Sequence, residues 1–174
     1  MLDQYSRWGE LLLSGYESSR MALSGFSIAG GLGGIVVCGM GGSGVSGDFL
    51  SVIGRLYGAR LPILVFKGFD LPEWFSNHLV VAVSYSGNTL ETLECSRRAR
   101  SLGARVVHVS SGGLLMSEAE REGIPWIPLE QGLVPRVALP SMVGALLGLT
   151  NMLGVTSVGD EVLLEAYYAL KNTL

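Results

Sequence analysis

Ile35-Val36-Val37-Cys38-Gly39-Met40-Gly41-Gly42-Ser43-Gly44-Val45-Ser46-Gly47-Asp48-Phe49-Leu50 is the stretch that decides the fold. Its first four residues form an apolar, β-branched run that reads as a buried strand, and the residues from Val45 onward read as the first turns of a helix. The link between them is rich in glycine and carries Ser43. A glycine-rich turn from strand to helix lets backbone N–H groups approach an anion at the positive end of the helix dipole. The same glycines would serve a tight connection that needs positive φ. This stretch alone leaves both readings open.

Working outward, the pattern repeats. A helix is expected from Asp3 to about Ala22, with Leu2, Tyr5, Leu12 and Tyr16 on one face, followed by a flexible approach from Gly25 to Gly34. The first crossover helix is expected over 45–57, ending at Gly58. Further strands are expected over 62–66, 79–83, 105–109 and 125–129, the last placed near an edge by Pro125 and Pro128. Between and after them lie a turn or short helix over 70–74 and helices over 90–102, 115–121, 137–153 and 160–171. Gly103 is the natural stop of the 90–102 helix. Short apolar strands alternating with helices predict an α/β fold: a doubly wound parallel five-stranded sheet with helices on both faces, an α-β-α sandwich. In such sheets ligands bind beyond the carboxyl ends of the strands. The expected organisation is an N-terminal helix and glycine-rich lead-in (1–34), the α/β domain (35–155) and a C-terminal helix (156–174).

The chain has 174 residues, 48% of them hydrophobic and 16% charged, with a mean hydropathy of +0.42. That is apolar for a freestanding domain, and it predicts surface buried against another chain or domain, most simply a homodimer. A net charge of −3 with only two lysines, Lys67 and Lys171, argues against a nucleic-acid partner. Cys38 and Cys95 lie in apolar or helical patterns and read as reduced thiols of a cytoplasmic protein. The N-terminus carries Asp3, Arg7 and Glu10 and is no signal peptide. From Val137 to Gly159 there is no charge, and Gly144 and Gly148 have the spacing of a close helix contact. Pro140, Ser141, Thr150, Asn151 and Ser157 interrupt the hydrophobicity, so a helix buried on all sides is expected here, not a membrane span. No His/Cys/Asp cluster has ligand spacing, so neither a metal nor another cofactor is expected.

The strand over 79–83 runs into Ser84-Tyr85-Ser86-Gly87-Asn88-Thr89 and then into a helix. Ser84, Ser86 and Thr89 can each donate to a phosphate oxygen, and the free helix amides add further donors, so no lysine is needed. Helix capping, with Asn88 or Ser86 as N-cap and Glu91 as its capping-box partner, accounts for one or two of these residues but not for the cluster. Ser110-Ser111-Gly112-Gly113 either lines the same site or only turns the chain. Arg136 is the only charge between Glu130 and Asp160. It could steady an oxyanion or a sugar hydroxyl, or form a surface or inter-subunit salt bridge. His78 and His108 read as surface and core histidines, and Glu91 is poorly placed to move a proton over a sugar.

Gly39-Met40-Gly41-Gly42-Ser43-Gly44, Val83-Ser84-Tyr85-Ser86-Gly87-Asn88-Thr89 with Glu91-Thr92, and Pro135-Arg136-Val137-Ala138-Leu139-Pro140 resemble, in order and spacing, the sugar isomerase (SIS) family. Within it they are most similar to the bifunctional phosphoglucose/phosphomannose isomerases of archaea and bacteria. The resemblance implies that Gly42, Ser43, Ser84, Ser86 and Thr89 bind the substrate phosphate and that Arg136 stabilises a developing enediolate. It implies isomerisation of fructose 6-phosphate with glucose 6-phosphate or mannose 6-phosphate through ring opening and an enediol, without metal. Members of that group carry two SIS domains, and their general acid and base come from the second, for which no matching positions occur here. The chain is therefore expected to be one half of such an isomerase, pairing with a second SIS domain or with a copy of itself. Two other readings stand beside it: a non-catalytic phosphosugar-binding module, and a single-domain hexulose phosphate isomerase working as an oligomer.

Overall fold

Alternate residues of Ile35-Val36-Val37-Cys38 enter two different cores. Ile35 and Val37 pack into one hydrophobic cluster, and Val36 and Cys38 into another on the opposite face. A strand covered on both faces is apolar at every position, because neither row of side chains meets water. The computed structural model describes residues 2–28 and 30–172, with the backbone only for Leu2 and Asp3. The expected place of the Leu2 side chain on a helix face thus lies outside the described residues.

The strands are β1 (Ile35–Cys38), β2 (Ile63–Phe66), β3 (Leu79–Val83), β4 (Arg105–Ser110) and β5 (Trp126–Pro128). They form one sheet in the order β2-β1-β3-β4-β5, parallel at every junction. The helices are α1 (Leu2–Tyr5), α2 (Trp8–Ala22), α3 (Gly41–Leu56), α4 (Leu90–Ser101), α5 (Gly113–Glu122), α6 (Leu139–Met152) and α7 (Asp160–Asn172). Residues of α2, α3, α6 and α7 share the core of Ile35 and Val37, while α4 and the 3-10 turn over Glu73–Asn77 cover the Val36 face. Leu115 of α5 packs with Ala82 and Leu93. The expected doubly wound α/β sandwich is the observed one. Strand order reverses between β1 and β3, and at such a switch point the strand-end loops diverge and leave a crevice.

The uncharged stretch after Arg136 is helix α6, buried along nearly its whole length. Its glycines allow the backbone of α2 to approach: a Cβ on Gly144 would come within 2.0 Å of the Leu12 carbonyl oxygen, and one on Gly15 within 2.0 Å of that of Ser141. Ser19 donates to the Ala145 carbonyl at 2.5 Å in the same contact. Among the described residues no helix is long and apolar enough to cross a membrane.

Three expectations need correction. The helix expected over Asp3–Ala22 is interrupted at Ser6 and Arg7, where α1 ends and α2 begins. Helix α3 begins at Gly41, earlier than expected: Gly41, at φ +51°, leads in, and the glycines themselves make the first turn. The cysteines, expected as free thiols, are joined: Cys38 at the end of β1 faces Cys95 on the inward side of α4, with 6.6 Å between Cα atoms. That distance is within disulfide reach, and a separation of 57 residues hides it from a reading of the sequence.

Candidate functional site

The loops after β1 and β3 leave the sheet side by side at the switch point, and each runs into a helix whose first turn no side chain caps. Met40 is the N-cap of α3 and Thr89 that of α4. The first N–H groups of an α-helix have no intrahelical acceptor, so both termini present donors toward the space between them.

Hydroxyls converge on the same space. Ser84 Oγ lies 2.9 Å from Thr89 Oγ1 and 3.5 Å from Ser86 Oγ, and Ser84 is almost wholly buried. Ser43, in the first turn of α3, accepts the Tyr85 backbone N–H at 3.3 Å. These residues line a cavity of about 220 Å³ together with Met40, Gly42, Tyr85, Pro135, Arg136 and Met142. Arg136 is carried there by the turn before α6, where Val134 O accepts the N–H groups of Val137 and Ala138 at 2.8 and 3.3 Å. No ion pair joins Arg136 to another described residue. The structure thus brings Gly42, Ser43, Ser84, Ser86, Thr89 and Arg136 to one cavity. It offers hydroxyls, backbone amides and one guanidinium: a lining suited to an anion carrying a polar body.

The capping expectation is corrected. Asn88 and Ser86 do not cap α4. Asn88 Oδ1 accepts the Leu114 N–H at 3.0 Å and so caps α5, while Ser86 Oγ accepts the Asn88 N–H at 3.3 Å. The Ser110–Gly113 turn is a buttress and not part of the lining. Ser111 donates its N–H and its Oγ–H to the Tyr85 carbonyl at 2.9 and 2.7 Å. Gly87 and Gly113, both at φ +71°, let this turn close on the β3 loop: a Cβ on Gly87 would come within 1.8 Å of the Gly112 carbonyl oxygen.

Neither histidine reaches the cavity. His78 lies against Gly33 and Gly34 at the amino ends of the central strands β1 and β3, away from the cavity, and burial lowers its pKa. His108 is in the core, where Nδ1 donates to the Leu115 carbonyl at 2.9 Å and Nε2 pairs with Ser96 Oγ at 2.7 Å. Burial lowers the His108 pKa, partly offset by the Leu115 hydrogen bond. Glu130 is tied to Arg7 by two hydrogen bonds of 2.9 Å, and this pairing raises the Arg7 pKa. Sequence reasoning missed Met142 as a lining residue. It is buried on α6, with Ser43 Oγ 3.5 Å from its sulfur, and only tertiary packing puts it there.

Fold and cavity together define a parallel α/β domain with a cavity lined by hydroxyls and one guanidinium at its switch point. The chain is homologous over about four fifths of its length to bifunctional phosphoglucose/phosphomannose isomerases, and its fold is the SIS fold of solved phosphosugar isomerases. It is 36% identical over 139 residues to the bifunctional phosphoglucose/phosphomannose isomerase of Caldicellulosiruptor bescii, a match covering 79% of this chain and 41% of that protein. To the Aquifex aeolicus protein of the same description it is 39% identical over 142 residues, covering 81% and 42%. It is also 37% identical over 120 residues to the D-glucosamine-6-phosphate 4-epimerase of Sulfolobus acidocaldarius, covering 67% and 37%. The match thus spans less than half the length of these relatives. Among solved structures, glucosamine-6-phosphate deaminase of Thermotoga maritima superimposes with a TM-score of 0.66 at 14% identity, over 98% of this chain and 53% of that one, a likeness of fold. No protein-family model matches the chain.

Proposed function

We propose that this chain is a phosphosugar isomerase-type SIS domain that binds fructose 6-phosphate, glucose 6-phosphate and mannose 6-phosphate and takes part in their aldose–ketose interconversion. The observation that carries this reading is the convergence of the Ser43, Ser84, Ser86 and Thr89 hydroxyls on two uncapped helix termini, with Arg136 across the cavity. In this reading Gly42, Ser43, Ser84, Ser86 and Thr89 hold the phosphate. Arg136 faces the sugar, where a fixed guanidinium stabilises the charge that develops on an enediolate oxygen. The names of the sequence relatives support the choice of hexose phosphates.

Isomerisation also needs a group that takes a proton from one carbon and returns it to the next. Among the described residues the cavity lining contains no carboxylate and no imidazole. We therefore place the acid and base on a second surface that closes over the sugar, either another SIS domain or a second copy of this chain. The same lining favours, as the second reading, a module that binds phosphosugars without turning them over. Because a phosphomonoester is charged and does not cross a bilayer unaided, the cytoplasm is the proposed location.

A titration of the purified chain with fructose 6-phosphate and with fructose, run beside a coupled isomerase assay, tests both readings. Binding of the phosphate ester but not of fructose is expected. Turnover places the acid and base in this chain or across its self-associated form. Binding without turnover selects the binding module. Turnover of hexulose phosphates with none of fructose 6-phosphate would select the single-domain hexulose isomerase, and no binding at all would overturn the phosphate cradle.

A further inference from the structure

Tyr85 touches each part of the chain that lines or backs the cavity. Its backbone N–H donates to Ser43 Oγ in the first turn of α3. Its carbonyl accepts both donors of Ser111 in the loop after β4. Its phenol accepts the Leu133 N–H at 2.8 Å and donates to the Glu130 carbonyl at 3.1 Å, in the segment between β5 and α6. The ring is 9% exposed, and Leu133 is 7% exposed. These are fully formed bonds in a largely dry setting, where a lost partner is not replaced by water at no cost.

The segment from Glu130 to Ala138 is also held where Leu133, Val137 and Ala138 enter the main core and where Gln131 Nε2 donates to the Ser111 carbonyl at 2.9 Å. Arg7 grips the Glu130 carboxylate from outside, and Gln4 Oε1 accepts the Val134 N–H at 3.4 Å. Arg136 stands two residues beyond Val134, on an exposed turn. Val137 and Ala138 fix its C-terminal side in the core, so its distance from the Ser84–Thr89 hydroxyls depends on how firmly the 130–135 stretch before it is held to the β3 loop. The phenol of Tyr85 makes that attachment directly.

We infer that Tyr85 is a positioning residue: its hydroxyl ties the 130–136 segment to the β3 loop and thereby sets Arg136 over whatever the hydroxyl cradle holds. The inference rests on the role given to Arg136 above. Tyr85 does this through Arg136 and not through a contact with the phosphate, which separates it from Ser86 and Thr89.

The test compares wild type, Tyr85→Phe, Arg136→Ala and the double variant, with inorganic phosphate and fructose 6-phosphate as separate probes. Phosphate reads the cradle alone, and the sugar ester reads the cradle and Arg136. Tyr85→Phe is expected to weaken fructose 6-phosphate binding about five- to twentyfold and phosphate by less than about twofold, with no further loss once Arg136 is gone. Equal losses for both probes, or a full additive loss in the Arg136→Ala background, would overturn the inference. Amide hydrogen exchange decides the mechanical part without any ligand: residues 130–137 should exchange about tenfold faster in Tyr85→Phe while 43–50 do not change. Unchanged exchange sinks the tie. Wild type binding neither probe would instead defeat the proposed function while the exchange result still stands. Arg7→Ala, a change at the surface, loosens the same segment from its other side and should give the same split between probes; equal losses for both would contradict the scheme.

Discussion

Ser84 Oγ and Thr89 Oγ1 lie 2.9 Å apart across the turn that joins β3 to α4. Each hydroxyl can serve the other in the open cavity, and a phosphate oxygen arriving between them would take over as their common acceptor. Ser84 is buried beneath the turn, whereas Ser86 is exposed and Thr89 half-buried at its rim.

Ser86→Ala and Thr89→Val should each weaken sugar-phosphate binding by about five- to tenfold, the loss of one charge-assisted hydrogen bond. Neither residue supports the fold through a cap on α4, so thermal midpoints should stay near the wild-type value. Isothermal titration beside a melting curve separates the two effects, and unchanged affinity in both variants contradicts the cradle.

Gly144→Ala should destabilise the protein without touching the cavity. The new Cβ would meet the Leu12 carbonyl oxygen at 2.0 Å, a backbone atom that can yield only if α2 and α6 separate. Overpacking of this kind costs about 1–3 kcal/mol, read from the urea midpoint. Gly42→Ala, whose Cβ would meet nothing within 4 Å, is the control for stability. Equal midpoints for the two variants would refute the close contact.

The contrast between these glycines marks how far the sequence carries. β1, β3 and β4 were legible because both of their faces are buried, leaving short runs rich in valine and isoleucine. The uncharged helix and its Gly144–Gly148 spacing were legible for the same reason, since a helix covered on all sides has no place for charge. The hydroxyl cluster stood out because Ser84, Ser86 and Thr89 are local in sequence. What stayed hidden is long-range. Asn88 caps a helix 26 residues away, Met142 reaches Ser43 across 99 residues, and the Tyr85 phenol bonds a backbone amide 48 residues on. No periodicity encodes such partners; they exist only once the parallel sheet has aligned the strand ends.

Stability should fall as the solution is acidified from neutrality. Burial lowers the His108 pKa below its ordinary value of 6.5, with desolvation the leading cause, and His78 is lowered in the same way. The unfolded chain then takes up protons that the folded one refuses. The stabilisation is complete above about pH 6.5 and is lost progressively as pH drops toward the depressed folded values. Urea unfolding at about pH 7.5 and about pH 5.5 reads this directly, with a lower midpoint expected in acid. A midpoint that is constant across that range would mean the two imidazoles titrate normally.

The last prediction concerns self-association, the simplest source of the second surface. Helix α3 starts at the cavity and leaves Val45, Phe49, Val52 and Leu56 exposed along one side, with Leu56 74% exposed. Beside this stripe is an apolar groove of about 470 Å³ between α3 and α7, floored by Leu139, Val143 and Leu147 of α6. Projecting side chains next to a groove of matching chemistry are what a two-fold contact requires, because each copy then offers both halves of the fit. Asp48 of α3 is neutralised by Lys67, which follows β2, at 2.7 Å, so two such faces meet without net repulsion from that pair. Light scattering at about micromolar concentration should give a dimer, and Leu56→Glu should shift it toward monomer by placing a charge in an apolar contact. A wild-type monomer under those conditions would rule out this face as the site of pairing between copies. A Leu56→Glu protein that remains dimeric would move the contact elsewhere on the surface.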